Sequence, residues 1–279
     1  MENKELSLKE IQKKSLEILK EVDSFCRNNQ IKYFLAFGTL IGAIRHSGFI
    51  PWDDDIDIIM LREDYDKFLD LYKSIGTYRI INFESEKKCP FMITRITDDH
   101  YTMKKEYGPK YKIGTFIDVY PFDGVGISQE DIKYITRKTS HYAKGLARSI
   151  DTNPIKTINV LHNGLKKWLL LPLYLLPKIL GTNYYREKLI KLSKRHTVES
   201  SDYIGCVIWD MSMNGFFKKK WFEHFVEMKF EGMNFLCPRE YDKVLKQNYN
   251  DYMKLPPENQ RIGHHFYKMY RASDVNAGI

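Results

Sequence analysis

The chain has few cysteines and no long, uninterrupted apolar segment. Its four cysteines lie far apart and lack the spacing of metal ligands, so we expect free thiols in a reducing compartment. The most apolar run, residues 168–180 (WLLLPLYLLPKIL), is too short to cross a bilayer and contains two prolines. The first residues, MENKELSLKEIQKK, lack the apolar core of a signal peptide. These absences predict a cytoplasmic protein.

The apolar run at 168–180 has two interpretations. Lys166 and Lys167 precede it, and Lys178 interrupts it. A helix in the hydrophobic core would have this composition, and so would a segment lying at the surface of an anionic membrane. The sequence leaves both open, and the second would give the protein a peripheral contact with the inner face of the cell membrane.

Basic residues outnumber acidic ones, 44 to 36, which gives a net charge of +8. The excess suggests an anionic partner such as a nucleotide, a phosphorylated polymer or a lipid headgroup. Because the basic residues are scattered rather than grouped, we predict no nucleic-acid partner. With 43% apolar and 14% aromatic residues, the 279-residue chain can build one large domain or two smaller ones.

Aspartates are concentrated directly after Pro51-Trp52, where four occur within five residues. If residues 53–60 form a strand, alternation of its side chains places Asp53, Asp55 and Asp57 on one face. Such close carboxylates raise each other's pKa unless a cation lies among them. Oxygen ligands without a nearby His or Cys favour Mg²⁺ or Mn²⁺. We therefore predict a metal site for phosphate chemistry rather than an exposed turn.

A further aspartate, Asp118, is the one charge in the predicted strand 115–120 (TFIDVY), which Pro121 would end. A lone buried aspartate often has a structural partner such as an arginine. It could equally complete the metal site from a neighbouring strand. We predict the second role, with Asp55, Asp57 and Asp118 as ligands of one divalent cation.

A phosphate-binding position is predicted just before the aspartates. Gly38-Thr39 lies between a predicted strand (32–37) and a short predicted helix (40–45). The first amides of a helix and its dipole favour a phosphate group there. A Gly-Thr pair alone also fits a tight turn, and the aspartate strand that follows makes the phosphate interpretation the stronger one. Arg45 would add a cation if it faces the site.

The remaining patterns predict alternating helices and strands up to Ser128 and mostly helices beyond it. The first helix begins with Ser7 and Glu10 at capping-box spacing, and Phe122-Asp123-Gly124 is predicted to be a turn with an exposed Asp123. The other predicted helices cover 63–75, 129–150, 154–180, 184–196 and 238–248, and the other predicted strands cover 78–83, 91–97, 101–105, 203–209 and, after a turn at Gly232, the residues up to 237.

Two stretches together carry a family resemblance. The first is YFLAFGTLIGAIRHSGFIPWDDDID, and the second, near the end, combines Phe230-Glu231-Gly232 with YNDYM before Pro256. With them the chain resembles the LicD family of phosphotransferases. That family belongs to the nucleotidyltransferase (polymerase-β-like) superfamily, together with the fukutin-related ribitol-phosphate transferases. The family commonly has Tyr-Gly-Asp where this chain has Tyr249-Asn250-Asp251, a departure expected to affect acceptor fit at most.

The resemblance implies an α+β fold and a set of roles. Residues 1–127 would form a nucleotidyltransferase-like catalytic core of mixed sheet and helices. Residues 128–279, a helical insertion and a mixed C-terminal part, would complete donor and acceptor binding. Asp55 and Asp57 would be the metal-binding pair and Asp118 the third carboxylate, and Gly38-Thr39 would contact the phosphates of the donor. Asp53 would bind a second metal, orient water or deprotonate the acceptor.

The implied reaction is transfer of phosphocholine, or a similar phospho-alcohol, from CDP-choline or a related CDP-alcohol. The acceptor would be a hydroxyl of a glycan or lipid-linked glycan precursor of teichoic acid, lipopolysaccharide or capsule, and Mg²⁺ or Mn²⁺ would be the cofactor. Two alternatives stay open. A nucleotidyltransferase would move NMP from an NTP to a small molecule, and a membrane-associated scaffold would catalyse nothing. The intact set of aspartates argues against the scaffold.

Overall fold

A computed structural model describes residues 4–73, 78–87, 89, 91–104, 111–151, 166–209, 213–263 and 267–276. Within them the fold is a mixed α/β arrangement around a seven-stranded sheet, with two separate two-stranded sheets. The helices are α1 (Leu8–Asn28), α2 (Phe37–His46), α3 (Arg62–Leu71), α4 (Gln129–Ile150), α5 (Lys166–Ser193), α6 (Tyr241–Tyr249) and α7 (Ala272–Asn276). The strands are β1 (Phe34–Leu35), β2 (Asp57–Leu61), β3 (Tyr78–Ile81), β4 (Thr94–Asp98), β5 (Tyr101–Lys104), β6 (Thr115–Gly126), β7 (Tyr203–Gly205), β8 (Phe216–Lys218), β9 (Phe225–Phe230), β10 (Met233–Pro238) and β11 (Lys268–Arg271).

The main sheet has the strand order β1-β2-β6-β4-β3, with β7 and β8 continuing from the second half of β6. β2 and β6 run parallel, and the other described pairs in this sheet are antiparallel. The register sets Asp57 of β2 beside Asp118 of β6, and Asp118 beside Arg95 of β4. Three charged positions therefore form one row across the centre of the sheet.

β6 is longer than predicted because it does not end at Pro121. The amide of Asp118 donates to the carbonyl of Ile56, on the β2 side. Since successive amides alternate in direction, position 121 faces the β4 side, where pairing ends at Val119. Pro121, which has no N–H, therefore interrupts no hydrogen bond there.

The prediction of an exposed turn at Asp123 is wrong. β6 continues through this residue and pairs it with Gly205 of β7, so the Asp123 side chain is completely buried. Its carboxylate accepts a hydrogen bond from Nε of Arg62 at 2.7 Å. Burial raises the pKa of Asp123 to about 6, although the charge of Arg62 and its hydrogen bond act in the opposite direction. Asp123 is thus part of the interior.

α1 has the predicted capping box. The amide of Ser7 donates to the Glu10 carboxylate at 2.8 Å, and the amide of Glu10 donates to the Ser7 hydroxyl at 3.4 Å. The apolar face of α1 is buried against the sheet, and the Ser15 hydroxyl donates to the carbonyl of Phe116 in β6. This helix also reaches the aspartate stretch, because the Gln12 side-chain amide donates to the carbonyl of Asp53 at 2.7 Å.

The apolar run at 168–180 lies in α5 and is largely exposed. Of residues 169–180, Tyr174 and Pro177 are the ones buried. Both prolines lie inside the helix, and Gly181 has a φ of 80°, a left-handed conformation that favours glycine and separates two helical segments. Most of this run is therefore not part of the described core. No helix among the described residues is long and apolar enough to cross a membrane.

Other predicted elements agree in type with the structure, and several of them differ in their bounds. The helix predicted at 129–150 is confirmed as α4. The turn at Gly232 is confirmed by positive φ values of 48° at Glu231 and 83° at Gly232. The helix predicted to start at Pro238 begins only at Tyr241, because Pro238 pairs with Phe225 at the end of β10. The part of the predicted helix at 154–180 that covers 154–165 lies outside the described residues.

The largest hydrophobic cluster joins the two predicted regions. It includes Leu19 of α1 and Ile58 of β2, together with Leu189 of α5, Phe217 of β8 and Phe235 of β10. The four cysteines are free, as predicted, and all four are buried. The division of the chain at residue 127 stays a prediction.

Candidate active site

The aspartates are brought together by a loop and a strand end, not by one strand face. β2 begins only at Asp57, so the prediction of a strand over 53–60 is wrong for its first half. In the loop before β2, one carboxylate oxygen from each of Asp53, Asp54 and Asp55 lies within 4.8 Å of the others. This group contains two of the predicted residues, Asp53 and Asp55, together with Asp54, and it does not include Asp57 or Asp118.

Gly38 leaves room for Asp53. A Cβ at Gly38 would lie 2.6 Å from Oδ2 of Asp53, closer than non-bonded carbon and oxygen atoms approach. Any side chain at this position would push the Asp53 carboxylate away. The first turn of α2 thus requires glycine here if Asp53 is to stay beside it, which ties the predicted phosphate position to the aspartate cluster.

Asp57 is a buried carboxylate without a full set of partners. It is 8% exposed, and its Oδ1 atom has no hydrogen-bond partner among the described residues. Burial raises the pKa of Asp57 well above its ordinary value, and the charges of Asp55, Asp118 and Asp53 raise it further. An unpartnered oxygen in an excess of negative charge fits a bound divalent cation.

Asp118 has the arginine partner that one interpretation of the sequence allowed. Its carboxylate accepts from Arg95 Nε at 2.6 Å and from Nη2 at 3.3 Å. The Arg95 guanidinium lies between two rings, 4.1 Å from the centre of Phe91 and 4.2 Å from that of Phe116. Each carboxylate oxygen can accept from more than one direction, so this ion pair leaves the role of Asp118 as a metal ligand a prediction.

Thr39 supports Asp57 directly. Its buried hydroxyl oxygen accepts a hydrogen bond from the Asp57 amide at 2.9 Å. α2 begins at Phe37, three residues before the predicted start at residue 40. Gly38 and Thr39 therefore lie within its first turn. Contact of Gly38-Thr39 with the donor phosphates stays a prediction, while the Thr39 hydroxyl acts on Asp57.

Arg45 lies at the wall of the same cavity. Its Nη1 atom donates to the carbonyl of Tyr252 at 2.6 Å, which joins the end of α2 to the segment after α6. Burial lowers the pKa of Arg45. The guanidinium is therefore a cation fixed in place by the C-terminal part of the chain.

The aspartates open onto a cavity of about 530 Å³. Asp53, Asp55 and Asp57 line it together with residues from the C-terminal part of the chain. Among the described residues, its lining is Phe37, Gly38, Ile41, Arg45, Ile50, Trp52, Asp53, Asp55, Asp57, Tyr249, Asp251, Tyr252, Lys254, Leu255, Pro256 and Pro257. A space of this size, partly charged and partly aromatic, suits a small organic phosphate.

The chain is similar in sequence to known proteins. Residues 30–161 match the family model described as LicD/FKTN/FKRP, nucleotidyltransferase domain. The chain is 31% identical over 275 residues to the lipopolysaccharide cholinephosphotransferase LicD of Haemophilus influenzae, covering 96% of this chain and 99% of that protein. The chain belongs to the LicD family. An uncharacterised protein of Rickettsia typhi is 34% identical over 148 residues, 45% of each chain.

In this LicD-family chain, some residues around the cavity were not predicted as site residues. Tyr249, Asp251 and Tyr252 belong to the YNDYM stretch that carried part of the resemblance, yet no local pattern predicts that they line the same cavity as the aspartates. Burial raises the pKa of Tyr249, as do the nearby charges of Asp57, Asp53 and Asp55.

The residue that departs from the Tyr-Gly-Asp pattern, Asn250, has an unusual backbone conformation. Asn250 has φ 55° and ψ −110°, a conformation that glycine adopts far more readily than any other residue. The chain adopts this backbone geometry with an asparagine, and Tyr249 and Asp251 on either side of it line the cavity.

Replacing Thr39 by Val is expected to lower the free energy of unfolding by about 1–3 kcal/mol, because the buried Asp57 amide loses its acceptor. Thr39→Ser keeps the hydroxyl and is the matched control. Urea denaturation of both variants measures the difference. Equal stability of Thr39→Val and Thr39→Ser would show that the bond contributes nothing.

Proposed function

We propose that this protein transfers phosphocholine from CDP-choline, or a related CDP-alcohol, to a hydroxyl group of lipopolysaccharide. The observation that carries the proposal is the cavity, which three aspartates and a group of aromatic side chains line together. The extent of identity to the H. influenzae lipopolysaccharide cholinephosphotransferase supports the choice of phosphocholine and of this acceptor.

The aspartates fit a divalent metal of the hard, oxygen-binding type. Asp55 and Asp57 would hold Mg²⁺ or Mn²⁺, with Asp118 as the third ligand. When bound, the ion would supply positive charge to neutralise the diphosphate of the donor. This assignment of the metal site is supported by the Oδ1 atom of Asp57, which has no hydrogen-bond partner among the described residues.

The rest of the chemistry falls to side chains and amides of this chain. The amides at Gly38-Thr39 would hold phosphate oxygens at the start of α2, and the fixed guanidinium of Arg45 would add charge at the cavity wall. The acceptor oxygen would attack the phosphorus that carries choline while the bond to the CMP oxygen breaks. CMP would leave with that electron pair, and Asp53 would take the proton of the acceptor hydroxyl.

The aromatic residues would bind the cationic end of choline. A quaternary ammonium group is attracted to the faces of aromatic rings, and Phe37, Trp52 and Tyr249 all line the cavity. The Arg261 guanidinium already lies 5.7 Å from the centre of the Trp52 ring, an arrangement typical of a cation–π contact. Asp251, which also lines the cavity, would add negative charge.

We also infer that the sheet is the core of a nucleotidyltransferase fold. The matching family model carries that description, and it covers β1 to β6. The adjacent positions of Asp57 and Asp118 on parallel strands support a shared catalytic centre.

The test is to incubate the purified protein and Mn²⁺ or Mg²⁺ with a panel of CDP-alcohols and NTPs, in the presence of lipopolysaccharide. We expect CMP release from CDP-choline, stimulated by the acceptor and absent in EDTA. Pyrophosphate from an NTP, with every CDP-alcohol unchanged, would favour nucleotidyl transfer and overturn the proposal.

A further inference from the structure

The first half of α5 presents an apolar stripe to solvent. Leu169 and Ile179 are 80% and 81% exposed, and Leu173, Leu176 and Leu180 are between 41% and 51% exposed. Positions 169, 173, 176 and 180 are spaced by three or four residues, which places them on one face of the helix. Large aliphatic side chains this exposed and this close together mark a contact surface.

The opposite face of this half helix is attached to α4. Tyr174 is buried, and the Arg148 guanidinium lies 4.6 Å from the centre of its ring. Lys178 Nζ donates to the carbonyl of Ser149 at 2.9 Å. These contacts fix the orientation of α5, so the apolar stripe points away from the described body of the protein.

The second half of α5 and the middle of α4 form a basic groove of about 710 Å³. One carboxylate, that of Glu187, lines this groove. Five cationic side chains also line it: Lys138, Lys188, Lys191, Lys194 and Arg195. Among the described residues none of the five forms an ion pair with a carboxylate, although Arg195 lies 4.6 Å from the centre of the Tyr134 ring. The groove therefore carries uncompensated positive charge.

We propose that the α4–α5 helix pair binds the surface of an anionic phospholipid bilayer. The apolar stripe would enter the boundary between headgroups and acyl chains, and the basic groove would take phosphate-bearing headgroups. An apolar face alone would fit many binding partners. An apolar stripe and a strongly basic groove on the same helix fit a bilayer surface, which has anionic headgroups above an apolar interior.

Vesicle sedimentation tests the proposal without donor, acceptor or turnover, so its outcome is separate from that of the proposed function. The wild-type protein is mixed with vesicles of phosphatidylcholine alone or of equal parts phosphatidylcholine and phosphatidylglycerol. We expect binding to the anionic vesicles only, weakened by added salt. The double variant L169S/I179S should bind at least about tenfold less, since burying one such side chain changes an equilibrium by more than that factor.

A second variant, K191Q/K194Q, should also lose binding and keep the melting temperature of the wild type. The control is I127S/L71S, which removes two exposed apolar side chains elsewhere, 67% and 48% exposed, and should bind as the wild type does. Absence of wild-type binding would overturn the proposal, as would equal binding to neutral vesicles. A lower melting temperature of L169S/I179S would also overturn it, since the stripe would then be covered by the chain itself. So would a wild-type dimer that this variant dissociates, since the stripe would then be covered by a second copy.

Discussion

Asp57→Asn is expected to lower turnover by at least about 100-fold without lowering stability in the absence of metal. The substitution removes a ligand charge but nearly preserves the shape of the side chain. The Asp57 carboxylate is buried, lies among other carboxylates and has one oxygen without a partner among the described residues, so its charge costs folding energy. Turnover measured as CMP release, and melting in EDTA, give the two quantities.

The difference in stability between Asp57→Asn and the wild type should depend on pH, and its sign can be derived. Burial, and then the charges of Asp55, Asp118 and Asp53, raise the pKa of Asp57 in the folded protein. The folded state therefore binds this proton more tightly than the unfolded state does. The resulting stability is present at low pH and is lost as the pH rises above the ordinary value of about 3.9. Because Asn does not titrate, the melting-temperature advantage of Asp57→Asn in EDTA should grow from about pH 4 to pH 8.

Asp23→Asn is the matched control, since Asp23 is also a buried aspartate. Its carboxylate accepts from Arg27 Nε at 2.8 Å and from the Tyr33 hydroxyl at 2.6 Å, in a part of α1 that does not line the cavity. Asp23→Asn should lose stability and keep turnover, the reverse of Asp57→Asn. Wild-type turnover in Asp57→Asn would remove that residue from the reaction.

The sequence predicted the aspartate site because its signal is local. A charged residue inside an apolar strand, as at Asp57, is costly in any fold, so a function could be inferred before the strand bounds were known. The strand itself was predicted to begin four residues too early, since residues 53–56 form a loop that holds its carboxylates together without alternation. The helix at 129–150 was also predictable, because its capping and apolar spacing are local.

The residues that were missed depend on contacts between distant parts of the chain. Arg95 is a single cation in a strand, and only the antiparallel register of β4 with β6 places it beside Asp118. Tyr249 and Trp52 are two among many aromatic residues until the C-terminal part folds over the aspartates. The buried position of Asp123 likewise depends on β7, which is some eighty residues away along the chain.

Arg95→Met is expected to lower the free energy of unfolding by about 3–5 kcal/mol, because it leaves the buried Asp118 carboxylate without its counter-charge. Asp118 is 3% exposed, so water cannot replace the guanidinium. The double variant R95M/D118N removes both charges of the pair and should regain much of that loss. Urea denaturation of the two variants and the wild type measures the coupling between the residues.

The double variant also separates the two roles of Asp118. Asp118→Asn alone leaves the Arg95 guanidinium, which lies between two rings, without its counter-charge. A loss of activity in that variant could therefore come from damage to the fold as well as from loss of a metal ligand. R95M/D118N has no stranded charge. If Asp118 is the third metal ligand, this folded variant should lose turnover by at least about 100-fold, as Asp57→Asn does, because the ion's charge is no longer held in place. If it instead keeps turnover within about threefold of the wild type while Asp57→Asn does not, Asp118 serves only to pair Arg95, and the metal is held by the aspartates of β2 and the loop before it.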